Sequence, residues 1–355
     1  MRHLVINSSK EYQAKEKLPI EPFRLSNDTE KEPSFFQIEF IVKKETYIYG
    51  FRADKTKIHN EWLFRKLKTT SKVIFTRDKK KFDYGKEWSA NESIERFNRP
   101  NALYLSVAAQ WNIKLAEEII EWFLNVNALH GLSFTKYAGV SIDLLQSKKM
   151  RKKLVELMRK ADLGIEGMKV KKSEAKLDKD YSKYLNKKYK KELAEIIKKS
   201  ESFEVLTYHP KYDAQRKLLK LVEFNMNREE SDGTRKFFSL IGAILEAIIN
   251  GELVIIDELD ARLHPELVSA IINFFNSTTN KTGQLICVNF STSIMDSSLL
   301  RRDQIYLVEK NNFGSTVLSN VSEFKVRKTQ PIEKHYREGR LGGKPIIEDF
   351  ENLMS

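Results

Sequence analysis

Leu253-Val254-Ile255-Ile256-Asp257-Glu258 is the stretch that decides how this chain is read. Four consecutive apolar residues, three of them β-branched, are the mark of a strand buried on both faces. Two adjacent carboxylates close the run. At the C-terminal edge of a parallel sheet, where open α/β sheets bind ligands, the first acid can hold a metal ion and the second can polarise a water molecule. The same pair also reads as ordinary strand-end caps and surface charge.

The flanking sequence extends the pattern. Thr234 to Ile249 is strongly apolar at helical spacing, Pro265 to Phe275 is helical, and Leu285–Val288 and Ile305–Val308 are two more apolar strand candidates. Strands separated by helices of this length predict a mainly parallel sheet. Upstream, Phe35 to Val42 alternates, Lys43-Lys44-Glu45 can turn, and Tyr47, Tyr49 and Phe51 share one face of a partner strand. Val73-Ile74-Phe75 is a third short strand, so the N-terminal end reads as antiparallel β. From Tyr104 the period becomes helical, with Leu105, Ala108, Ala109, Ile113, Leu115, Ile119, Trp122 and Phe123 on one stripe. Ile142 to Asp162 and Leu177 to Lys199 are expected as two further helices, parted by Gly164 and Gly167. The expected division is a β-rich lobe with a helix over 1–140, a basic helical insertion over 141–222 and an α/β lobe over 223–355.

Composition narrows the classes. The chain has 355 residues, 41% hydrophobic and 31% charged, which describes a folded globular protein. No apolar run approaches the roughly 20 residues of a bilayer span, the first residues lack the apolar core of a signal peptide, and Cys287 is the one cysteine. A disulfide framework and a Cys-rich zinc site are excluded, and a cytoplasmic setting without membrane contact is the expectation. The net charge is +13, and between Lys148 and Ser200 alone 19 Lys or Arg stand against 8 Asp or Glu. Such a segment can meet a DNA or RNA backbone, and Tyr181, Tyr184 and Tyr189 among its lysines can stack on bases. It reads equally as the solvated side of helices whose tyrosines pack inward.

A second motif lies 26 residues before Asp257: Ser231-Asp232-Gly233-Thr234, leading into the apolar helix. Such a turn offers a hydroxyl and free backbone N–H groups to an anion, and Ser231 also suits an ordinary N-cap. Beyond the carboxylates comes Leu259-Asp260-Ala261-Arg262-Leu263-His264-Pro265. His264 before Pro265 suits packing or hydrogen bonding at a helix start.

In this order and spacing the motifs resemble the signature, Walker B and D-loop of ABC-class ATPase heads. The chain is most similar to the bacterial AAA/ABC-type ATPases grouped with the overcoming-lysogenisation-defect and abortive-infection proteins. Pro33–Phe36, Tyr47–Phe51, Glu61–Phe64, Arg301–Ile305, Ser322–Arg327 and Tyr336–Arg340 add to the resemblance. It implies an ABC-type α/β head that dimerises around ATP and Mg²⁺, partnered by a separate effector protein. Asp257 would hold the Mg²⁺ shell and Glu258 would be the general base. Ser231, Gly233 and Thr234 would reach the γ-phosphate on the partner protomer, and Asp260 and His264 would line the dimer seam.

Two departures stand against the matches. The family's phosphate loop, Gly-x-x-x-x-Gly-Lys-Ser/Thr, has no counterpart: the two Gly-Lys pairs, Gly85-Lys86 and Gly343-Lys344, are followed by Glu87 and Pro345 and preceded at the first-glycine position by Lys80 and Glu338. The chain reads as beginning downstream of that loop. Relatives also carry a switch histidine just after the strand equivalent to Leu285–Val288, where this chain has Phe290. The expectation is little or no hydrolysis by this polypeptide alone, either because a missing segment restores an ordinary ATPase or because the head is a degenerate scaffold or nucleic-acid-binding module.

Overall fold

The computed structural model describes residues 1–88, 92–174, 201–325 and 331–345. The helix expected over Leu177 to Lys199, with Tyr181, Tyr184 and Tyr189, lies outside them. The chain divides into two compact units, the first built from Met1–Val126, Tyr306–Lys325 and the described residues from Tyr336 on, the second from Asn127–Ile305 and the described residues just before Tyr336. These boundaries differ from the sequence-based ones at 140 and 222.

The first unit begins with helices α1 (Arg2–Asn7) and α2 (Asn27–Lys31) and a five-stranded antiparallel meander. Its strands are β1 (Ser34–Val42), β2 (Glu45–Ala53), β3 (Ile58–Lys66), β4 (Ser71–Asp78) and β5 (Lys81–Tyr84). Lys43 and Lys44 both have positive φ, the two-residue geometry that matches strand twist in a tight hairpin. The register pairs Phe40 with Tyr47, Ile38 with Tyr49 and Phe36 with Phe51, and the three β2 aromatics are buried on one face as expected. Val73–Phe75 lies in the fourth strand rather than a third, because β3 is a full strand. Its Glu61 is buried and accepts hydrogen bonds from the Tyr49 hydroxyl and from the amides of Tyr104 and Leu105. Those amides open a helix, so a strand carboxylate caps it across the core. After the short helix α3 (Glu92–Glu95), the single helix expected from Tyr104 is two, α4 (Tyr104–Gln110) and α5 (Lys114–Leu124). They are broken at Asn112, whose φ is +60°, a conformation asparagine tolerates better than most residues.

All but the first residue of β6 (Val126–His130) belongs to the second unit, followed by α6 (Ala138–Gln146) and α7 (Lys148–Lys160), separated at Ser147 where one continuous helix is expected. The basic insertion is therefore helical only to Lys160 within the described residues. It continues as a three-stranded antiparallel sheet of β7 (Gly167–Glu174), β8 (Glu201–Tyr212) and β9 (Leu218–Asn225). Next come α8 (Asp232–Asn250), β10 (Leu253–Asp257), α9 (Pro265–Asn276) and β11 (Gln284–Cys287). β10 and β11 pair in parallel, Leu253 opposite Gln284 through Ile256 opposite Cys287, and the sheet order is β11-β10-β6. The architecture is mixed α/β, with an antiparallel N-terminal lobe, helices and a parallel pair of strands.

Two strand readings change. Val254 and Ile256 of β10 are fully buried while Leu253 and Ile255 are half-buried, so one face rather than two is covered. Among the described strands β11 is at the edge, with Ile286 exposed and Val288 just after it exposed too. Ile305–Val308 does not join the parallel sheet. In the first unit, β12 (Tyr306–Lys310) pairs antiparallel with β13 (Thr316–Asn320), and Leu307 is buried while Tyr306 and Val308 are exposed.

Candidate functional site

The site is built where β10 runs out. Its run ends at the exposed Asp257, and Glu258 turns the chain with φ +53°, a left-handed conformation that is uncommon outside glycine. The turn puts the next apolar side chain, Leu259, back in the core. The Leu259 amide donates to Val288 O, tying the loop to the end of β11. Glu258 Oε2 is buried and has no hydrogen-bond partner among the described residues. A buried carboxylate oxygen left unpaired is disfavoured by roughly 1–3 kcal/mol.

Asp260 joins the loops after the two parallel strands. Its Oδ2 accepts the amides of Phe290 at 2.9 Å and Ser291 at 2.7 Å, while Oδ1 is buried and without a partner among the described residues. Asn289 donates to Cys287 Sγ at 3.3 Å, and its buried Oδ1 likewise has no partner among the described residues. Burial pushes the Cys287 thiol up from its ordinary range, so it is a neutral neighbour here. Phe290 is 80% exposed and contributes only its backbone amide to this arrangement.

The Ser231–Thr234 turn sits at the start of α8. Ser231 is its N-cap: Oγ accepts the Thr234 amide at 3.1 Å and lies 2.9 Å from the Thr234 hydroxyl. Asp232 pairs with Arg235 and, at 2.6 Å, with Arg262 of the carboxylate loop. Gly233 packs so closely on the loop that a Cβ there would lie 3.0 Å from Arg262 O. The turn and the carboxylate loop are therefore in direct contact. His264 caps α9, its Nδ1 accepting the Glu266 amide at 3.3 Å with Pro265 at the first helical position. That is the helix-start role its sequence context suggested.

Sequence reading missed Lys236. It is fully buried, and Nζ donates to Glu258 O at 2.9 Å, Leu259 O at 2.9 Å and Ala261 O at 2.6 Å. Burial lowers its pKa to about 8 against the opposing pull of the Asp260 and Glu258 charges. The signal was present: residues 236, 240, 243, 244 and 247 recur at core spacing on α8, and a lysine on that stripe needs buried acceptors.

Among the described residues no group of three or more His, Cys, Asp or Glu could hold a metal ion by itself. Asp257, at the end of β10, is exposed.

The chain matches, over residues 2–288, the family model described as an AAA domain, putative AbiEii toxin, Type IV TA system. The chain belongs to this family. No curated protein matches it. The AAA match takes in the turn at Ser231 and both carboxylates and stops at Val288, two residues short of Phe290. An AAA domain implies a nucleotide, usually with Mg²⁺, and a toxin–antitoxin family implies a partner protein. No described helix is long and apolar enough to cross a membrane.

Proposed function

We propose that this AAA domain is the nucleotide-switched ATPase head of an abortive-infection system, dimerising around Mg-ATP and passing its state to a separate effector protein. The observation that carries the reading is Glu258 Oε2, buried and without a partner among the described residues, at the end of β10 in a loop tied to the first turn of α8. Bound Mg-ATP would supply the transferable phosphoryl group and the countercharge on it. Asp257 would hold the metal's water shell. Glu258 would accept a proton from the attacking water and so orient it, a role worth about 10²–10⁴-fold in rate. Ser231, Gly233 and Thr234 would offer hydroxyl and amide donors to the γ-phosphate held by the partner protomer. Arg235 and Arg262 cover the charge of Asp232, so an anion approaching the turn meets no bare carboxylate. Asp260 and His264 would lie at the seam between protomers.

The 355 residues contain no Gly-x-x-x-x-Gly-Lys-Ser/Thr, and Phe290 can neither donate to phosphate nor relay a proton. The chain alone is therefore expected to turn over ATP very slowly or not at all. Adding a segment that carries a phosphate loop is expected to give Mg-dependent turnover that Glu258→Gln abolishes. Rapid turnover by the chain alone would overturn the first expectation, and no nucleotide binding in either arrangement would overturn the head itself.

One observation favours a second reading, a nucleic-acid-binding module. The first two turns of α7 carry Lys148, Lys149, Arg151, Lys152 and Lys153, all exposed, with no acidic residue in the first turn. Cations at a helix N-terminus oppose the helix dipole, and a polyanion laid across them would relieve that repulsion.

A further inference from the structure

We infer that Lys236 is a positioning residue: it clamps the backbone of the loop from Glu258 to Ala261 onto α8, and thereby sets where the Glu258 carboxylate stands. The inference rests on the reading of Glu258 as general base, and its geometric half is independent of that reading.

An ammonium group has three donors, and here each has its own carbonyl, from Glu258, Leu259 and Ala261. Carbonyls of three residues in one short loop turn to a common point only if the backbone is bent to bring them there. The bend is visible at both ends, since Glu258 and Arg262 are non-glycine residues with φ of +53° and +61°. Such conformations persist where surrounding structure over-determines them, and Lys236 is what lies at their centre. Space for the arrangement comes from Gly131, just after β6. A Cβ there would stand 2.0 Å from Glu258 O and 2.7 Å from Lys236 Nζ, so any side chain would push the loop off its seat.

The clamp joins the two motifs the chemistry needs. Asp232, at the first turn of α8, pairs with Arg262 at the far end of the same loop. With Lys236 one turn further on, the loop is held to α8 at both ends, and a tilt of that helix would carry Glu258 with it. The lysine's depressed pKa fits this account, because its charge is held against desolvation and only partly compensated. A residue kept only for packing would be served better by an apolar side chain of similar volume.

The test uses the full chain and two variants. Lys236→Met keeps the length and removes the donors, while Gly131→Ala leaves the lysine in place and displaces Glu258 O. Amide hydrogen exchange at residues 258–263 is expected to accelerate at least tenfold in both, with residues 241–248 of α8 changed by less than twofold. In the presence of a supplied phosphate-loop segment, kcat is expected to fall at least thirtyfold while KM for ATP stays within threefold. Unchanged loop exchange in both variants, loosening that spreads along α8, or a retained kcat would each overturn the assignment. Absence of Glu258-dependent turnover in the unsubstituted chain supplied with that phosphate-loop segment would defeat the ATPase reading instead, and the exchange measurement would still decide the clamp.

Discussion

The carboxyl of Asp54 is held well below the usual carboxylate range. Burial acts to raise it and is outweighed by hydrogen bonds from the Thr56 hydroxyl, His59 and the amides of Thr56 and Lys57. A pKa depressed in the folded state contributes stability that is present above the ordinary value of 3.8 and lost as pH falls toward the folded one. Asp54→Asn is therefore expected to be less stable than the unsubstituted chain at pH 7, with the difference shrinking below about pH 4; denaturant titrations at several pH values check this. Phe290 is the opposite case, a side chain that the fold does not use. Phe290→His is expected to shift unfolding free energy by less than about 0.5 kcal/mol, because surface changes away from packed features are nearly neutral. If the switch reading is right, the same substitution raises Glu258-dependent turnover.

Helix α8 carries the clearest element-scale prediction. Gly242 lies in its middle, where alanine would favour the helix by about 1 kcal/mol. A Cβ at that position would stand 2.2 Å from Ser141 Oγ and 2.8 Å from the backbone of Ser141 in α6, with Ser141 Oγ already bonded to Phe238 O. Overpacking of this kind is disfavoured by about 1–3 kcal/mol, so the clash outweighs the propensity and Gly242→Ala is expected to destabilise in chemical denaturation. This crossing also shows what was legible. α8 and β10 announce themselves through an N-cap serine, a long apolar stripe and an apolar run ending in acids, all signals local to the chain. The partners were not local. That Glu61 caps α4 from 43 residues away, or that Lys236 finds three carbonyls 22 to 25 residues on, depends on packing that no window of sequence contains. Ile305–Val308 misled for the same reason: four apolar residues look alike in a buried strand and in a hairpin that covers only alternate side chains. Ser231, Asp257 and Glu258 stand out in the sequence by their local context, whereas the pairing of Asp232 with Arg262 and of Lys236 with the Glu258, Leu259 and Ala261 carbonyls had to be seen.

At the scale of the whole molecule the excess charge of +13 is the property left to explain. A globally basic protein is attracted to any polyanion, so binding alone would say little; where the charge acts is the informative quantity. If the exposed cations of α7 from Lys148 to Lys153 form the contact, five of them would meet about five phosphates, and log K should fall with log salt at a slope of about −4.5 on a duplex and about −3.5 on a single strand. Reversing Lys148, Lys149, Lys152 and Lys153 to Glu changes no buried side chain and places acids at a helix N-terminus, where the dipole favours them. The variant is therefore expected to be at least as stable as the unsubstituted chain. Anisotropy titrations with a labelled 30-nucleotide single strand and the matching duplex separate the outcomes. Binding that weakens steeply with salt and disappears in the four-fold variant assigns the surface to nucleic acid. Binding that survives the reversal moves the contact to another part of the chain, and failure to bind at any salt makes α7 a solvated face and returns the ATPase head to sole possession of the function.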